Sequence, residues 1–77
     1  MTVTIYTTNH CPFCKMAKDF FNRSNVTYSE KNVEEDPKAA DEMVKKSGQL
    51  GVPVIDIDGK IIVGFDKKAI EKALHTA

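Results

Sequence analysis

Two cysteines, Cys11 and Cys14, are the residues of this 77-residue chain whose type and spacing most directly suggest chemistry. They are the only cysteines in the chain, and they enclose Pro12 and Phe13 in the sequence Cys-Pro-Phe-Cys. A Cys-x-x-Cys pair that follows a strand and opens a helix is typical of thiol–disulfide exchange in a chain without secretory features. The pair therefore predicts a redox-active dithiol that the rest of the chain positions.

The place of Cys11 relative to the helix predicts its role. Pro12 suits the first position of a helix, because it has no N–H to leave unbonded there. Cys11 then lies at the helix N-terminus, where free N–H groups and the helix dipole stabilise an anion. Cysteines in such places have pKa values of roughly 3.5–7.5 instead of about 8.5. We expect Cys11 to be the nucleophile and Cys14, one turn further on and closer to the core, to be the resolving thiol.

Apolar periodicity predicts the elements that position this dithiol. Strands are predicted at residues 3–6, 26–33, 52–57 and 60–63, and helices after Cys11, Asp36 and Asp66. Asp58-Gly59 is a signal for a two-residue hairpin between the last two strands. A helix between the first two strands implies a parallel pair with a right-handed crossover. The chain is therefore predicted to be an α/β protein of order β-α-β-α-β-β-α, with a four-stranded mixed sheet flanked by three helices.

Each predicted helix carries an apolar face and a charged face. The first is expected to bury Phe13, Met16, Ala17, Phe20 and Phe21, the second Ala39, Ala40, Met43 and Val44, and the third Ala69, Ile70, Ala73 and Leu74. On the second helix, Glu42 and Lys46 have the i, i+4 spacing of an ion pair. The second strand is polar, which predicts a place at the edge of the sheet.

Composition narrows the classes of function. Eleven basic and eleven acidic side chains give a formal net charge of zero, so we expect neither a nucleic acid nor an anionic membrane as partner. No apolar run approaches the roughly 20 residues of a membrane span, and the first residues do not resemble a basic leader segment. Two cysteines are too few for a secreted disulfide scaffold. These features predict a cytoplasmic monomer with a single domain over residues 1–77.

The landmarks of the sequence resemble those of the glutaredoxin branch of the thioredoxin superfamily. They are Ile5-Tyr6-Thr7 before Cys11-Pro12-Phe13-Cys14, then Gly51-Val52-Pro53, then Gly64-Phe65-Asp66. Phe13 stands where the family usually has tyrosine. The resemblance spans nearly the whole chain, and it implies a thioredoxin fold and a dithiol glutaredoxin-like reductase of protein disulfides or glutathione-mixed disulfides.

The resemblance also implies further site residues. The family proline that matches Pro53 follows a cis peptide bond and packs beside the disulfide, and Val52 would pair its backbone with an extended substrate. Glutaredoxins hold a glutathione carboxylate at the turn that matches Gly64, Phe65 and Asp66, a helix N-terminus suited to anions. Glutathione is thus expected as a co-substrate, with no bound cofactor. Asp66 itself is interpreted first as a plain N-cap.

Three departures from the family pattern leave the electron source open. Val63 stands in place of the first glycine of a Gly-Gly pair, Lys67 follows Asp66, and Thr8 stands where many glutaredoxins carry a lysine. A lone Gly-Phe at this turn is similar to the glutaredoxin-like hydrogen donors of ribonucleotide reductase, which thioredoxin reductase serves. Those proteins usually lack the Pro-aromatic pair between the cysteines. The alternative function is therefore a hydrogen donor reduced by thioredoxin reductase.

A metal-binding module is the alternative from a different class. Structural zinc takes about four ligands, and only His10, crowded beside Cys11, and His75, near the chain end, could join the two cysteines. Related glutaredoxins form an iron–sulfur dimer through the cysteine that matches Cys11 and bound glutathione. The Pro-aromatic pair and the second cysteine argue against that assembly. A purely structural disulfide is disfavoured because so small a ring restricts little unfolded-chain entropy.

Overall fold

The computed structural model describes residues 2–76 and contains the predicted elements in the predicted order. They are β1 (Val3–Thr7), α1 (Pro12–Arg23), β2 (Ser29–Asn32), α2 (Pro37–Ser47), β3 (Val54–Ile57), β4 (Lys60–Val63) and α3 (Lys67–Thr76). Asp58 and Gly59 form the predicted turn between β3 and β4, with φ values of 51° and 91°. Both residues therefore adopt the left-handed conformation that a type I′ hairpin requires.

The four strands form one mixed sheet of order β2-β1-β3-β4. β1 runs parallel to β2 and antiparallel to β3, and β4 is antiparallel to β3. The predicted edge position of β2 is confirmed. The predicted strand at 26–33 is too long, since β2 spans only Ser29–Asn32. The Val26 N–H instead bonds the carbonyl of Phe21 at 2.9 Å, in the turn that follows α1. The predicted strand at 52–57 begins only at Val54, after a proline that has no N–H to give a ladder.

The core lies on both faces of the sheet, because alternate residues of β1 point in opposite directions. Ile5 packs with Phe21 and Ile70 on the face covered by α1 and α3. Tyr6 packs with Met43 on the face covered by α2. Each fully buried apolar side chain of this kind stabilises the fold by about 1.5–3 kcal/mol. The apolar face predicted for α3 is confirmed. On α2 the prediction is confirmed for Ala39 and Met43, whereas Ala40 and Val44 are only half-buried. The predicted Glu42–Lys46 ion pair is confirmed, with 3.4 Å between its atoms.

The apolar face predicted for α1 is wrong in its first turns. Phe13 is 59% exposed and Met16 is 47% exposed, whereas Cys14, Ala17 and Phe21 are buried. A helix turns by about 100° per residue, so a buried face centred on Cys14, Ala17 and Phe21 leaves Phe13 and Met16 toward solvent. The apolar spacing of α1 covers a stripe wider than one buried face, and the structure buries only the side that carries Cys14, Ala17 and Phe21.

Candidate active site

The dithiol lies just beyond the carboxyl end of β1, at the start of α1. Cys11 is the N-cap of α1 and Pro12 takes its first position. Cys11 and Cys14 are joined by a disulfide, with their Cα atoms 5.2 Å apart. The Cys14 N–H donates a hydrogen bond to Cys11 Sγ at 3.1 Å. The predicted place of Cys11 at the helix N-terminus is confirmed, and an N–H group of the first turn already points at its sulfur.

The two sulfurs differ in their access to solvent. Cys14 is 2% exposed, whereas Cys11 is half-buried. An incoming disulfide therefore reaches Cys11 before Cys14. This asymmetry is what a nucleophile and a resolving thiol require, and the roles of the two residues stay predictions.

Pro53 lies at the same end of the sheet as the dithiol. Tyr6 pairs with Val54 across β1 and β3, so the start of β3 lies beside the end of β1. The Val52–Pro53 peptide bond is cis, as the resemblance implied. Pro53 is buried and Val52 is half-buried. The contact of Val52 with a substrate backbone stays a prediction.

The turn formed by Gly64, Phe65 and Asp66 adjoins Pro53. The Gly64 N–H donates to the Pro53 carbonyl at 2.8 Å, and Gly64 has a φ of 79°, which a side chain would strain. Asp66 accepts the Ala69 N–H at 3.2 Å, so its interpretation as an N-cap of α3 is confirmed. The part of this turn in binding glutathione stays a prediction.

The Phe65 ring contacts the body of the domain rather than standing free. It meets the Phe20 ring edge-on at 6.1 Å between centroids, and the Lys67 ammonium lies 5.8 Å from the centroid of the same Phe20 ring. Lys67 is thus near the turn where the family pattern differs, and its cation is already engaged with an aromatic face.

Four large apolar side chains, called here the apolar rim, are exposed on segments next to the site. We use this name for Phe13, Met16, Leu50 and Val63, the large apolar side chains that are exposed within the described residues. Phe13 and Met16 belong to the first turns of α1, Leu50 precedes the Val52–Pro53 bond, and Val63 lies opposite Val54. Exposed apolar side chains on the segments that flank a reactive group are typical of a surface that contacts another molecule.

A polar cluster beside the dithiol was missed by the sequence interpretation. The hydroxyl of Thr7, which is fully buried, donates to Glu30 Oε2 at 2.7 Å, and Lys18 Nζ lies 3.0 Å from the same oxygen. The hydrogen bond from Thr7, followed by the contact with Lys18, lowers the pKa of the Glu30 carboxyl. These residues are far apart in sequence, so only the pairing of β1 with β2 could have revealed the cluster.

The cluster opens onto a groove of about 820 Å³ beside α1. Cys11, Cys14, Lys18 and Glu30 are among the residues that line it. Within residues 2–76 there is no group of three or more His, Cys, Asp or Glu side chains placed to hold a metal ion. None of the helices in that range has the length and apolar character needed to cross a membrane.

The sequence model of glutaredoxin matches residues 3–62 of the chain. The chain belongs to the glutaredoxin family. This family member is 46% identical over 73 residues to an uncharacterized glutaredoxin-like 8.6 kDa protein in the rubredoxin operon of Clostridium pasteurianum, covering 95% of this chain and 97% of that protein. It is 38% identical over 64 residues to glutaredoxin 3 of Escherichia coli K12, covering 83% of this chain and 77% of the relative.

A solved structure extends the comparison to the fold. The glutaredoxin-like protein NrdH-redoxin from Escherichia coli superposes with a TM-score of 0.84 at 28% identity, covering 94% of this chain and 93% of that one. The predicted thioredoxin fold and the predicted glutaredoxin resemblance are both confirmed. This glutaredoxin is a thiol–disulfide oxidoreductase, and the disulfide between Cys11 and Cys14 fits the active-site motif of the family.

Proposed function

We propose that this glutaredoxin reduces protein disulfides, with Cys11 as the nucleophile and Cys14 as the resolving thiol. The observation that carries the proposal is the unequal setting of the two sulfurs. Cys11 is half-buried at the N-cap and receives the Cys14 N–H at 3.1 Å, while Cys14 is almost completely buried behind it. In the reduced protein the same N–H would stabilise a Cys11 thiolate, which is the reactive form.

The proposed reaction moves two electrons from the dithiol to the substrate. The Cys11 thiolate attacks one sulfur of the substrate disulfide, a mixed disulfide forms, and the other substrate sulfur leaves as a thiolate. Cys14 then loses its proton to solvent and attacks Cys11 Sγ. The second substrate sulfur leaves with the bonding electron pair, and the Cys11–Cys14 disulfide remains. The product is the oxidised form that the structure describes.

The apolar rim favours protein disulfides over small ones. A protein partner can cover Phe13, Met16 and Val63 on binding, and each such side chain contributes up to about 1.5–3 kcal/mol when fully removed from water. Glutathione is small and charged and would leave most of the rim exposed. The backbone of Val52, beside the cis peptide bond, offers a short strand-like contact to an extended segment of the partner.

Two electron donors remain candidates for returning the disulfide to the dithiol. Thioredoxin reductase is favoured by the apolar rim and by the described thioredoxin-like activity profile of the NrdH-redoxin relative. Glutathione is favoured by two cations near the site, that of Lys15 beside the groove and that of Lys67, which contacts the Phe20 ring at the start of α3. The carboxylate of Asp66 argues against glutathione as the donor, because it already accepts an N–H group at the helix end where a glutathione carboxylate would bind. Both donors act in the cytoplasm, which is where we propose that the protein works.

Turnover of a protein disulfide in two coupled assays tests the function and the donor together. One assay supplies NADPH and thioredoxin reductase, and the other supplies NADPH, glutathione and glutathione reductase. We expect turnover in at least the first. Turnover only in the second would make glutathione the donor. No turnover in either assay, with both thiols shown to be reduced and intact, would reject the oxidoreductase proposal for these residues.

A further inference from the structure

We propose that Lys18 and Glu30 are positioning residues that govern how readily the Cys14 thiol ionises, and hence how fast the mixed disulfide on Cys11 is resolved. The proposal rests on the proposed resolving role of Cys14. Lys18 favours the ionised thiol and Glu30 disfavours it. Together they form an ion pair that acts on Cys14 in the resolution step, and less on the first attack by Cys11.

Lys18 lies on the same side of α1 as Cys14. Lys18 follows Cys14 by four residues in the same helix, and residues at this spacing lie on one face with about 5–6 Å between Cβ atoms. Both residues also line the groove beside α1. Lys18 and Cys14 therefore share one side of α1 and one groove, which places a positive charge on the side of the helix that carries Cys14.

Glu30 and Thr7 hold that cation in a defined place. Lys18 Nζ is 3.0 Å from Glu30 Oε2, and the same oxygen accepts the Thr7 hydroxyl at 2.7 Å. Thr7 is fully buried in β1, so it fixes the carboxylate from below. A lysine without such an anchor would sample many rotamers in water, and its field at any one point would be weak.

The setting of Cys14 makes its ionisation sensitive to this pair. Burial disfavours the charged form of a thiol, and Cys14 is 2% exposed. Once Cys11 is tied up in a mixed disulfide, its sulfur carries no charge, and the local charges decide how much Cys14 thiolate is present. The charged or titratable residues that face the groove are His10, Lys15, Lys18, Asp19, Tyr28 and Glu30.

Lys18 and Glu30 are singled out from these groups because hydrogen bonds hold them. Glu30 is exposed like His10, Lys15 and Asp19, but the Thr7 hydroxyl and the Lys18 cation hold its carboxylate in place. Water screens most strongly those exposed charges that are free to move. The step affected by Lys18 and Glu30 is the resolution of the mixed disulfide. Cys14 gives its proton to solvent, its thiolate forms a bond to Cys11 Sγ, and the substrate thiolate leaves with the electron pair of the broken bond.

Titration of Cys14 alone tests the inference. In a Cys11→Ser background, Cys14 is the only thiol, and its ionisation is followed by the ultraviolet absorbance of the thiolate. We expect Lys18→Met to raise the Cys14 pKa by about half a unit to one unit, and Glu30→Gln to lower it by a similar amount. The double variant should return near the starting value, since the two charges act in opposite directions. Lys45→Met, on α2 and away from the groove, removes one positive charge as a matched control and should not shift the titration.

Resolution kinetics supply a second readout in proteins that keep both cysteines. The chromogenic disulfide dithiobis(nitrobenzoate) should release one nitrothiobenzoate when Cys11 attacks and a second when Cys14 resolves the mixed disulfide. Below the Cys14 pKa, we expect the second phase to slow about two- to threefold in Lys18→Met and to quicken by a similar factor in Glu30→Gln. The first phase should change less, and high salt should reduce the differences.

The inference would be overturned if Cys14 titrated equally in Cys11→Ser alone and with Lys18→Met or Glu30→Gln added. Shifts of the same sign for Lys18→Met and Glu30→Gln would also overturn it. A fully folded Cys11→Ser protein is checked by its thermal unfolding. The titration needs no turnover, so a wild-type protein that fails in both coupled assays would reject the proposed function while the effect of Lys18 and Glu30 on Cys14 could still be measured.

Discussion

The N-termini of α1 and α2 have nearly the same cap geometry but different functions. Each helix begins with an N-cap followed by proline, Cys11-Pro12 in α1 and Asp36-Pro37 in α2. The cap dihedrals are nearly the same, with φ −138° and ψ 98° at Cys11 and φ −128° and ψ 98° at Asp36. Cys11 Sγ accepts an N–H at 3.1 Å, and Asp36 Oδ1 accepts two, at 3.1 and 3.3 Å.

The difference between the caps lies in the accepting atom and in what surrounds it. The carboxylate of Asp36 accepts hydrogen bonds from the N–H groups at the start of α2, and this interaction contributes to stability. The sulfur of Cys11 is charged only as a thiolate, so the same donors make it reactive. The end of the sheet next to Cys11 also carries Pro53, and the neighbouring segments carry the apolar rim. One local geometry therefore supports folding in α2 and chemistry in α1.

Replacing the cap of α1 with the cap of α2 should give the largest effect. Cys11→Asp keeps an acceptor for the Cys14 N–H but removes the nucleophile, so we expect a folded protein with no disulfide reduction in either coupled assay. Thermal unfolding of this variant should match that of the reduced wild type within about 1 kcal/mol. Measurable turnover by Cys11→Asp would show that the cap sulfur is not the attacking atom.

Replacing Cys14 separates the two chemical steps. Cys14→Ser keeps the attack by Cys11 but has no resolving thiol, so mixed disulfides with protein partners should accumulate and turnover of protein disulfides should cease. Reduction of glutathione-mixed disulfides should survive. Non-reducing electrophoresis and mass spectrometry detect the trapped species. Full activity of Cys14→Ser on protein disulfides would contradict the resolving role.

Removing the cap of α2 should affect stability alone. Asp36→Ala leaves the N–H groups of Lys38 and Ala39 without their acceptor, and the loss of an N-cap costs about 0.5–2 kcal/mol of unfolding free energy. Urea unfolding measures this loss. Turnover at a temperature where the variant stays folded should equal that of the wild type, and a large fall in turnover would mean that the two caps are not independent.

The charges of α2 should produce the smallest effect, in the pH dependence of stability. The hydrogen bond from Lys31, followed by those from Tyr6 and Lys46, lowers the pKa of Glu42 from 4.5 to about 2. A carboxyl with a lowered pKa in the folded state stabilises the fold above its ordinary pKa, and this contribution disappears as the pH falls through the lowered value. The contribution is modest, about 0.2–1 kcal/mol, because solvent screens a side chain that is more than a third exposed.

Glu42→Gln tests that contribution. The variant should be slightly less stable than the wild type at neutral pH, and the difference should vanish as the pH falls from about 4.5 to about 2. Urea unfolding at several pH values measures it. Turnover near neutral pH should not change, which would show that Glu42 contributes to stability and not to activity. A difference in stability that grows on acidification would show that the charge of Glu42 does not stabilise the fold.

Most of the fold could be predicted because its signals are local. Pro12 and Pro37 fix two helix starts, Asp58-Gly59 fixes the hairpin, and the apolar residues of α2 and α3 recur at the helical period. The prediction failed for Phe13 and Met16, where the inward position of Cys14 turned both side chains outward. These two residues belong to the apolar rim, which we propose to contact a protein partner.

The sequence by itself determined the dithiol, the place of Cys11 at a helix start and the order of the elements, because these depend on neighbouring residues. Only the tertiary structure decided which residues share the dithiol's surroundings. The parallel pairing of β1 with β2 brings Thr7 and Glu30 together, and the pairing of β1 with β3 brings Pro53 to the same end of the sheet. Contacts between residues so distant in sequence arise when strands pair and helices pack, and no local pattern of residues encodes them.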